Sequence, residues 1–479
     1  MCAFPAAGLA ATQPKVAGSI ANSVNLSGVD AVAISGHYAY VTGYYAGQLV
    51  AVDISNPAHP TVVGASAAAP SLVAGTTINI SGGYAYVVSK NQNGDPNSND
   101  DGTGDSLTIL DIHSDPAVPQ IVGTVRDTNE IFGGYGVAEA GGYAYVAGQG
   151  ILIGQPQRPD TGTGSFAVVN VSDPAAPAIV SHLDNNALPI GAPPDALRHA
   201  CSVFVSGHYA YVTAAYSDRV TIIDISNPAA PQIVGSVSNV PFPVDIVVRG
   251  HYAYVADQTG GANVKVAVLD ISNPSTPKLV GSLRSPQLGG AYRIRLHGDF
   301  AYIAAVDTST IGVVDISDPR HPRLAAALKS NALYATTGLD VDSTGRYVVS
   351  SSFFQPGQSQ PLYPPFPPAP GGGTLTGTIA TIRLDPKPIA ATIRKGSEPA
   401  KMTTSRTASF TFTVNDAVAA VSCRLDRRPA APCHSTTAQN YGSLRPGRHH
   451  FMLAATDSAG KTVRARYTWS VVRHLARHG

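Results

Sequence analysis

Charge is scarce in this chain. Asp, Glu, Lys and Arg make up 13% of 479 residues, and the formal net charge is +1. A binder of nucleic acid through overall charge is therefore excluded. No apolar run reaches the roughly 18 residues that a membrane span needs, so no transmembrane segment is expected. Cysteine is rare, at four, which rules out a disulfide-dense miniature scaffold. The motifs that announce common chemistries are missing too. There is no G-x-S-x-G elbow, no H-E-x-x-H, no P-loop and no C-x-x-C, which weakens an enzyme reading without removing it, because a catalytic site can be dispersed along a chain. What is plentiful is Gly (47), Pro (37) and Tyr (21), a mix that suits many short strands joined by tight turns.

The charge that exists is unevenly placed. Residues 1–390 carry 18 Lys/Arg against 27 Asp/Glu, and residues 391–479 carry 14 against 4. An acidic body thus precedes a basic C-terminal part. Residues 1–12, "MCAFPAAGLAAT", read as the tail of a signal peptide that lacks its basic region. Cys423 and Cys433 lie close together in one small domain and are expected to pair.

One phrase recurs along the body. "G-x-Y-A-Y-V" or a relative of it starts at Gly36, Gly82, Gly141, Gly207, Gly250, Gly298 and, decayed, at Gly345. All copies but the last are followed by an apolar run ending in Asp or Asn ("LVAVDIS", "VTIIDIS", "FAVVNVS"), a turn such as "NPAHP", and usually a strand such as "TVVGA". A four-strand unit of roughly 40–50 residues is the signature of a propeller blade. Naming the strands a to d outward from the axis, "DAVAIS" is strand a, "YAYV" strand b, "VDIS" strand c and "TVVG" strand d. The seventh copy has no strand d. "QPKVAGSI" (Gln13–Ile20) matches strand d of the fourth copy and has no a, b or c of its own, so the N-terminus is expected to complete the last blade and close the ring. The expected fold is all-β: a seven-bladed β-propeller over residues 13–386, a linker at 387–398, a β-sandwich over 399–473 and a tail at 474–479.

The repeated runs resemble the LVIVD-repeat proteins. The resemblance implies a β-propeller on secreted or surface proteins of bacteria and archaea, and implies no established activity. After the linker, "CRLD…C…Y…L.PG.H.F…A.D.AG……Y.W.V" resembles bacterial Ig-like domains.

The repeated phrase itself reads as scaffold, since chemistry rarely needs one group in six equivalent places. The Asp of "VDISNP" (Asp53, Asp111, Asp224, Asp270, Asp315) is placed to accept N–H groups of the following turn, and Asn170 can replace it. The a–b and c–d loops are nearly constant, and the long insertions fall in b–c or d–a loops: Asn91–Ser106, Gly154–Ser165, Leu183–His199 and Phe353–Gly373. Loops on a rigid frame are where binding usually lives. In strand a, counting back from each turn Gly, positions −4 and −2 are mostly apolar and are expected between blades, and −5 and −3 are expected at the channel. The latter include Asp245, Arg293, Arg295, Asp340 and Asp342. Mutual pairing is the simpler account of these charges; a ligand site at the channel mouth is the other. Asn97, Asn99, Asp101 and Asp105 stand at EF-like offsets around Gly102, so calcium is the one cofactor considered, although Thr108 stands where the chelating Glu belongs. A flexible acidic loop accounts for them as well. Cys201 and His199 form the one Cys–His pair near the elaborated face, with a packed thiol as the simpler reading. The functional expectation is a monomeric, secreted or cell-surface, non-catalytic protein that recognises a protein or glycan of the cell envelope through the long-loop face. The alternative is an extracellular propeller lyase or hydrolase with its site at the channel mouth.

Overall fold

The computed structural model describes residues 12–22, 24–90, 102–150, 163–189, 191–259, 263–353, 355–356, 376–386, 391–414, 420–435, 437–456 and 462–474. The chain divides into two compact units, Pro14–Leu384 and one containing Asp385–Gly479. The described residues form strands and single 3₁₀ turns, with no α-helix among them.

The first unit holds seven four-stranded sheets. Six run in chain order, beginning with Val29–Ser35, Tyr38–Gly43, Gln48–Asp53 and Thr61–Ala65 as strands a to d of blade 1. The inner strands of blades 2 to 6 are Gly75–Ser81, Gly134–Ala140, Ala200–Ser206, Pro243–Arg249 and Ala291–His297. The seventh sheet joins Thr336–Val341, Tyr347–Ser352 and Gly377–Pro386 to Thr12–Asn22 as its outer strand. Each inner strand packs on the next, and that of blade 7 packs on that of blade 1. The ring is therefore closed by a strand from the other end of the chain.

Side-chain alternation builds the interfaces between blades. In blade 1, Tyr40 packs with Ile78, Val87 and Leu110 of blade 2, and its hydroxyl donates to Pro116 O of that blade's c–d turn at 2.9 Å. Ala39 and Val41, on the opposite face, pack with Val349 and Ile379 of blade 7. The c–d turns carry the caps their sequence implies. Asp53, Asp111, Asn170, Asp224, Asp270 and Asp315 each accept a backbone N–H two residues on, at 2.7–3.0 Å. These bonds hold the Asp53 and Asp224 carboxyls below the usual carboxylate range.

The Gly of strand d has a reason that only the assembled ring shows. A Cβ on Gly64, Gly123, Gly235 or Gly281 would stand 2.1–2.3 Å from a carbonyl oxygen in the c–d turn of the following blade, and one on Gly18 would stand 2.5 Å from Ala58 O. Blade 3 has Ser181 there, whose hydroxyl donates to Pro228 O of blade 4 at 2.6 Å. Blade 6 has Ala326, and the blade that follows it has no such turn. Gly281→Ala should therefore destabilise the propeller by about 2 kcal/mol through overpacking, whereas Ala326→Gly should cost no more than about 1 kcal/mol of backbone entropy. Paired thermal melts would check this, and equal losses would contradict it.

The second unit is a two-sheet sandwich. Ala391–Ile393, Ala408–Val414 and Ala438–Tyr441 form one sheet; Met402–Thr403, Thr462–Val471, Gly447–Thr456, Ala420–Leu425 and Ala431–Pro432 form the other. Phe410, Phe451, Leu453 and Trp469 fill the space between them. A Cys423–Cys433 disulfide joins Ala420–Leu425 to the residues just after Ala431–Pro432.

Candidate functional site

Every inner strand of the propeller slips register near its start. In blades 2 to 7 the slip brackets one residue: Thr76, Tyr135, Cys201, Val244, Tyr292 and Thr337; in blade 1 it brackets Asp30 and Ala31. A bulge of this kind re-aims the side chain it contains. The result is a plug across the channel at the long-loop end. The hydroxyls of Tyr135 from blade 3 and Tyr292 from blade 6 meet across the ring. Arg293 of blade 6 donates from Nη2 to Thr76 O of blade 2 at 3.0 Å, with its guanidinium 4.7 Å from the centre of the Tyr292 ring. Lys90 Nζ lies 5.4 Å from the centre of the Tyr135 ring. Asp30 is buried among these cations, and burial raises its carboxyl while Arg293 and Lys90 oppose the rise. Burial also takes the Lys90 ammonium down to about 8. On the outer side of the plug, Tyr44, Tyr45 and Phe353 form an edge-to-face cluster with ring centres 5.0–5.9 Å apart.

On the a–b side of the plug lies a second network. Asp245 of blade 5 accepts Ser202 Oγ of blade 4 at 2.8 Å, Ile294 N–H of blade 6 at 2.9 Å and Arg295 Nη1 at 2.9 Å. Arg295 also donates to Ile294 O at 2.7 Å, and its Nε lies 3.9 Å from Asp340 Oδ1 of blade 7. Asp340 Oδ2 accepts Ile34 N–H of blade 1 at 2.7 Å, and Asn79 Oδ1 of blade 2 accepts Glu139 N–H of blade 3 at 3.1 Å. An innermost strand is a sheet edge with free N–H groups. Here acceptors from the preceding blade take three of them. The network borders a cavity of about 420 Å³, walled by residues two to five places before the a–b turns.

The structure thus brings Asp245, Arg293, Arg295 and Asp340 to one cavity and leaves Asp342 out of it. Arg293 also belongs to the plug, through its bond to Thr76 O. Asp342 sits in the a–b turn of blade 7, where its carboxylate accepts Tyr347 N–H at 2.7 Å and Thr344 N–H at 3.3 Å. That turn is two residues longer than its counterparts: Asp340 pairs with Val349, as Ala33 pairs with Tyr40. Counting back from Gly345 therefore misplaces both acids by two positions. The expectation that positions −5 and −3 simply face the channel is corrected as well. Ala31 and Ala33 pack toward blade 2, and Val32 and Ile34 toward blade 7, so both faces of an inner strand serve blade interfaces and the bulge supplies the channel-filling side chain. Asp30, Thr76, Lys90 and Glu139 were missed by reading the sequence. For Asp30 and Thr76 the mixed residue types six places before the turn Gly were the available signal; Lys90 and Glu139 had none.

Of the calcium candidates, Asn97, Asn99 and Asp101 lie outside the described residues. Asp105 is buried and accepts Gly133 N–H at 2.9 Å. Cys201 is buried; its thiol accepts from Gln149 Nε2 at 3.3 Å and donates to the backbone carbonyl of His199 at 3.4 Å. Burial pushes the thiol up to about 12 and the His199 imidazole down to about 3, and that ring stacks on Tyr216 at 3.9 Å. A neutral thiol whose contact with His199 is to the backbone carbonyl is no activated nucleophile.

The profile of the LVIVD repeat matches residues 28–67, 75–93, 102–127, 197–239, 244–284 and 288–329. Five blades of the propeller carry LVIVD repeats. These matches coincide with blades 1, 2, 4, 5 and 6. No curated protein sequence matches the chain. Among solved structures, the chain is similar to a Lactobacillus plantarum protein at 17% identity, over 68% of this chain and 87% of that one, with a TM-score of 0.49. It is also similar to a periplasmic gluconolactonase of Pseudomonas aeruginosa at 12% identity, over 63% and 84%, with a TM-score of 0.46. A functionally unknown protein of Desulfotomaculum acetoxidans matches at 15% identity, over 62% and 84%, with a TM-score of 0.45.

Proposed function

We propose that this chain is a secreted or cell-surface recognition protein without catalytic activity, and that the long-loop face of the propeller takes a protein or glycan of the cell envelope. One observation carries the reading. Asp245 is paired with Arg295, and Arg293 is bound to Thr76 O, where an enzyme would hold acids and bases ready for a substrate. The neutral, packed Cys201 supports the same view. The Cys423–Cys433 disulfide fits an oxidising compartment. No helix among the described residues is long and apolar enough to cross a membrane. The enzyme alternative draws on Asp340, whose carboxyl burial raises.

The test is capture of envelope components by the full chain and by two loop-shortened variants. The cuts should spare Asp105, which caps Gly133, and Phe353, which packs on Tyr44 and Tyr45. Residues 92–101 and 357–373 are the segments to shorten. Capture that disappears in variants with unchanged melting would support the long-loop face. Capture that persists in both would reject it, and hydrolysis or elimination of an envelope polymer by the wild-type chain would replace recognition with catalysis.

A further inference from the structure

We propose that the cavity on the a–b side of the plug binds a single polyhydroxylated ring: a neutral or amino sugar, free or at the end of a glycan. This site lies at the opposite end of the channel from the long loops, so it stands or falls separately from the recognition surface above.

The cavity has the volume of a small-ligand pocket, about 420 Å³. It is blind, because the Tyr135–Tyr292 contact and the Arg293–Thr76 bond cross the channel behind it. A blind pocket admits the end of a polymer and not its middle. Its polar groups have capacity left over after holding the blades together. Arg295 uses Nη1 on Asp245 and Ile294 O, and its Nη2 makes no hydrogen bond to the described residues. Asn79 uses its carbonyl on Glu139 N–H and keeps its amide N–H groups. Glu139 uses one oxygen on Gly142 N–H at 3.0 Å and keeps the other, and each Asp340 oxygen accepts one backbone N–H and can accept a second bond. Donors from blades 2 and 6 thus alternate with acceptors from blades 3 and 7. A hydroxyl is both donor and acceptor, so a ring carrying several hydroxyls can satisfy both kinds, which a simple ion or amine cannot.

The remaining wall is apolar. Phe204, Val205 and Leu296 line it together with Ile34 and Ile80, and such a surface suits the C–H face of a sugar ring. Charge sets the selectivity. Three acids line the cavity, Glu139, Asp245 and Asp340, against two guanidiniums, Arg293 and Arg295, of which Arg295 pairs with Asp245, so the lining carries a net negative charge. Like charge in a confined cleft repels an acidic ligand, so uronic acids and sugar phosphates are excluded while an ammonium on the ring is welcome.

The test uses the full chain and saturation-transfer NMR with glucose, galactose, glucosamine, glucuronate and, as a non-sugar cation, putrescine. The expected result is transfer to at least one neutral or amino sugar, with glucuronate at least tenfold weaker and putrescine silent. Two variants with unchanged melting locate the site. Ile80→Trp fills the cavity and should abolish the transfer. Glu139→Gln keeps an oxygen for Gly142 N–H and should narrow the gap between glucuronate and glucose several-fold. Oligosaccharides of the sugar that binds separate the two sources: binding at least as strong as the free sugar assigns the site to glycan ends, and binding of the free sugar only assigns it to a soluble metabolite. Silence across the sugars, binding that survives Ile80→Trp, an unmoved acid-to-neutral ratio in Glu139→Gln, or putrescine binding as well as the sugars would each overturn the proposal.

Discussion

A chain lacking residues 12–22 is expected to lose its folded propeller. The segment is the outer strand of blade 7, and without it Gly377–Pro386 becomes an edge strand with a row of unpaired backbone groups. Each lost bond contributes about 0.5–1.5 kcal/mol, so a strand of this length amounts to roughly 5 kcal/mol or more, comparable with the whole stability of many domains. The loss extends beyond one sheet. Thr381 donates both to Gly18 O in the N-terminal strand and to Pro57 O in the c–d turn of blade 1, and Gly18 itself lies against that turn. The strand therefore ties blade 7 to blade 1 at the one place where the chain does not run continuously around the ring. The expected observations are aggregation or a strongly lowered melting temperature by circular dichroism, with partial rescue by a peptide spanning residues 12–22. An unchanged cooperative melt would mean that the seven inner strands close the ring by themselves.

Asp245→Ala is expected to cost about 3 kcal/mol, in line with removal of one partner from a buried ion pair. Asp245 is 5% exposed and serves blades 4, 5 and 6 at once. Its removal leaves the Arg295 guanidinium without its 2.9 Å partner, Ile294 N–H without an acceptor and Ser202 Oγ without one. Asp245→Asn keeps one oxygen and should lose roughly half as much, because the hydrogen-bonded frame survives while the charge pairing does not. Arg295→Ala in the Asp245→Ala background should then cost less than it does alone. A double-mutant cycle on chemical denaturation measures this coupling, and additive losses would show that the pair is not energetically linked.

These expectations rest on features of different legibility. The blades could be read because their residues speak locally: alternation in "YAYV", a Gly at each a–b turn, an Asp or Asn whose side chain caps the turn after strand c. The missing strand d could also be read, since "QPKVAGSI" matches a strand whose neighbours are absent. The candidate site was only half readable. Asp245, Arg295 and Asp340 stood out as charges on inner strands, but counting from Gly345 gave Asp340 a register two residues wrong and put Asp342 in the channel. A longer turn in one blade is invisible until strand pairing is known.

The sequence by itself determined the number and order of blades, the place of closure, the turn caps and the Cys423–Cys433 pairing, because each depends on short-range pattern or on close spacing. Tertiary structure alone decided which groups meet on the axis. The slip at the start of every inner strand aims Tyr135 at Tyr292 and puts Asp30 beside Lys90 and Arg293, residues far apart in the chain. Slip is a property of how two strands pair, not of either strand's periodicity. The glycines of strand d make the same point from the outside of the ring. "IVG" repeats plainly in the sequence, yet its cause is the carbonyl of another blade, and Ala326 escapes the rule only because blade 7 has no turn to meet it.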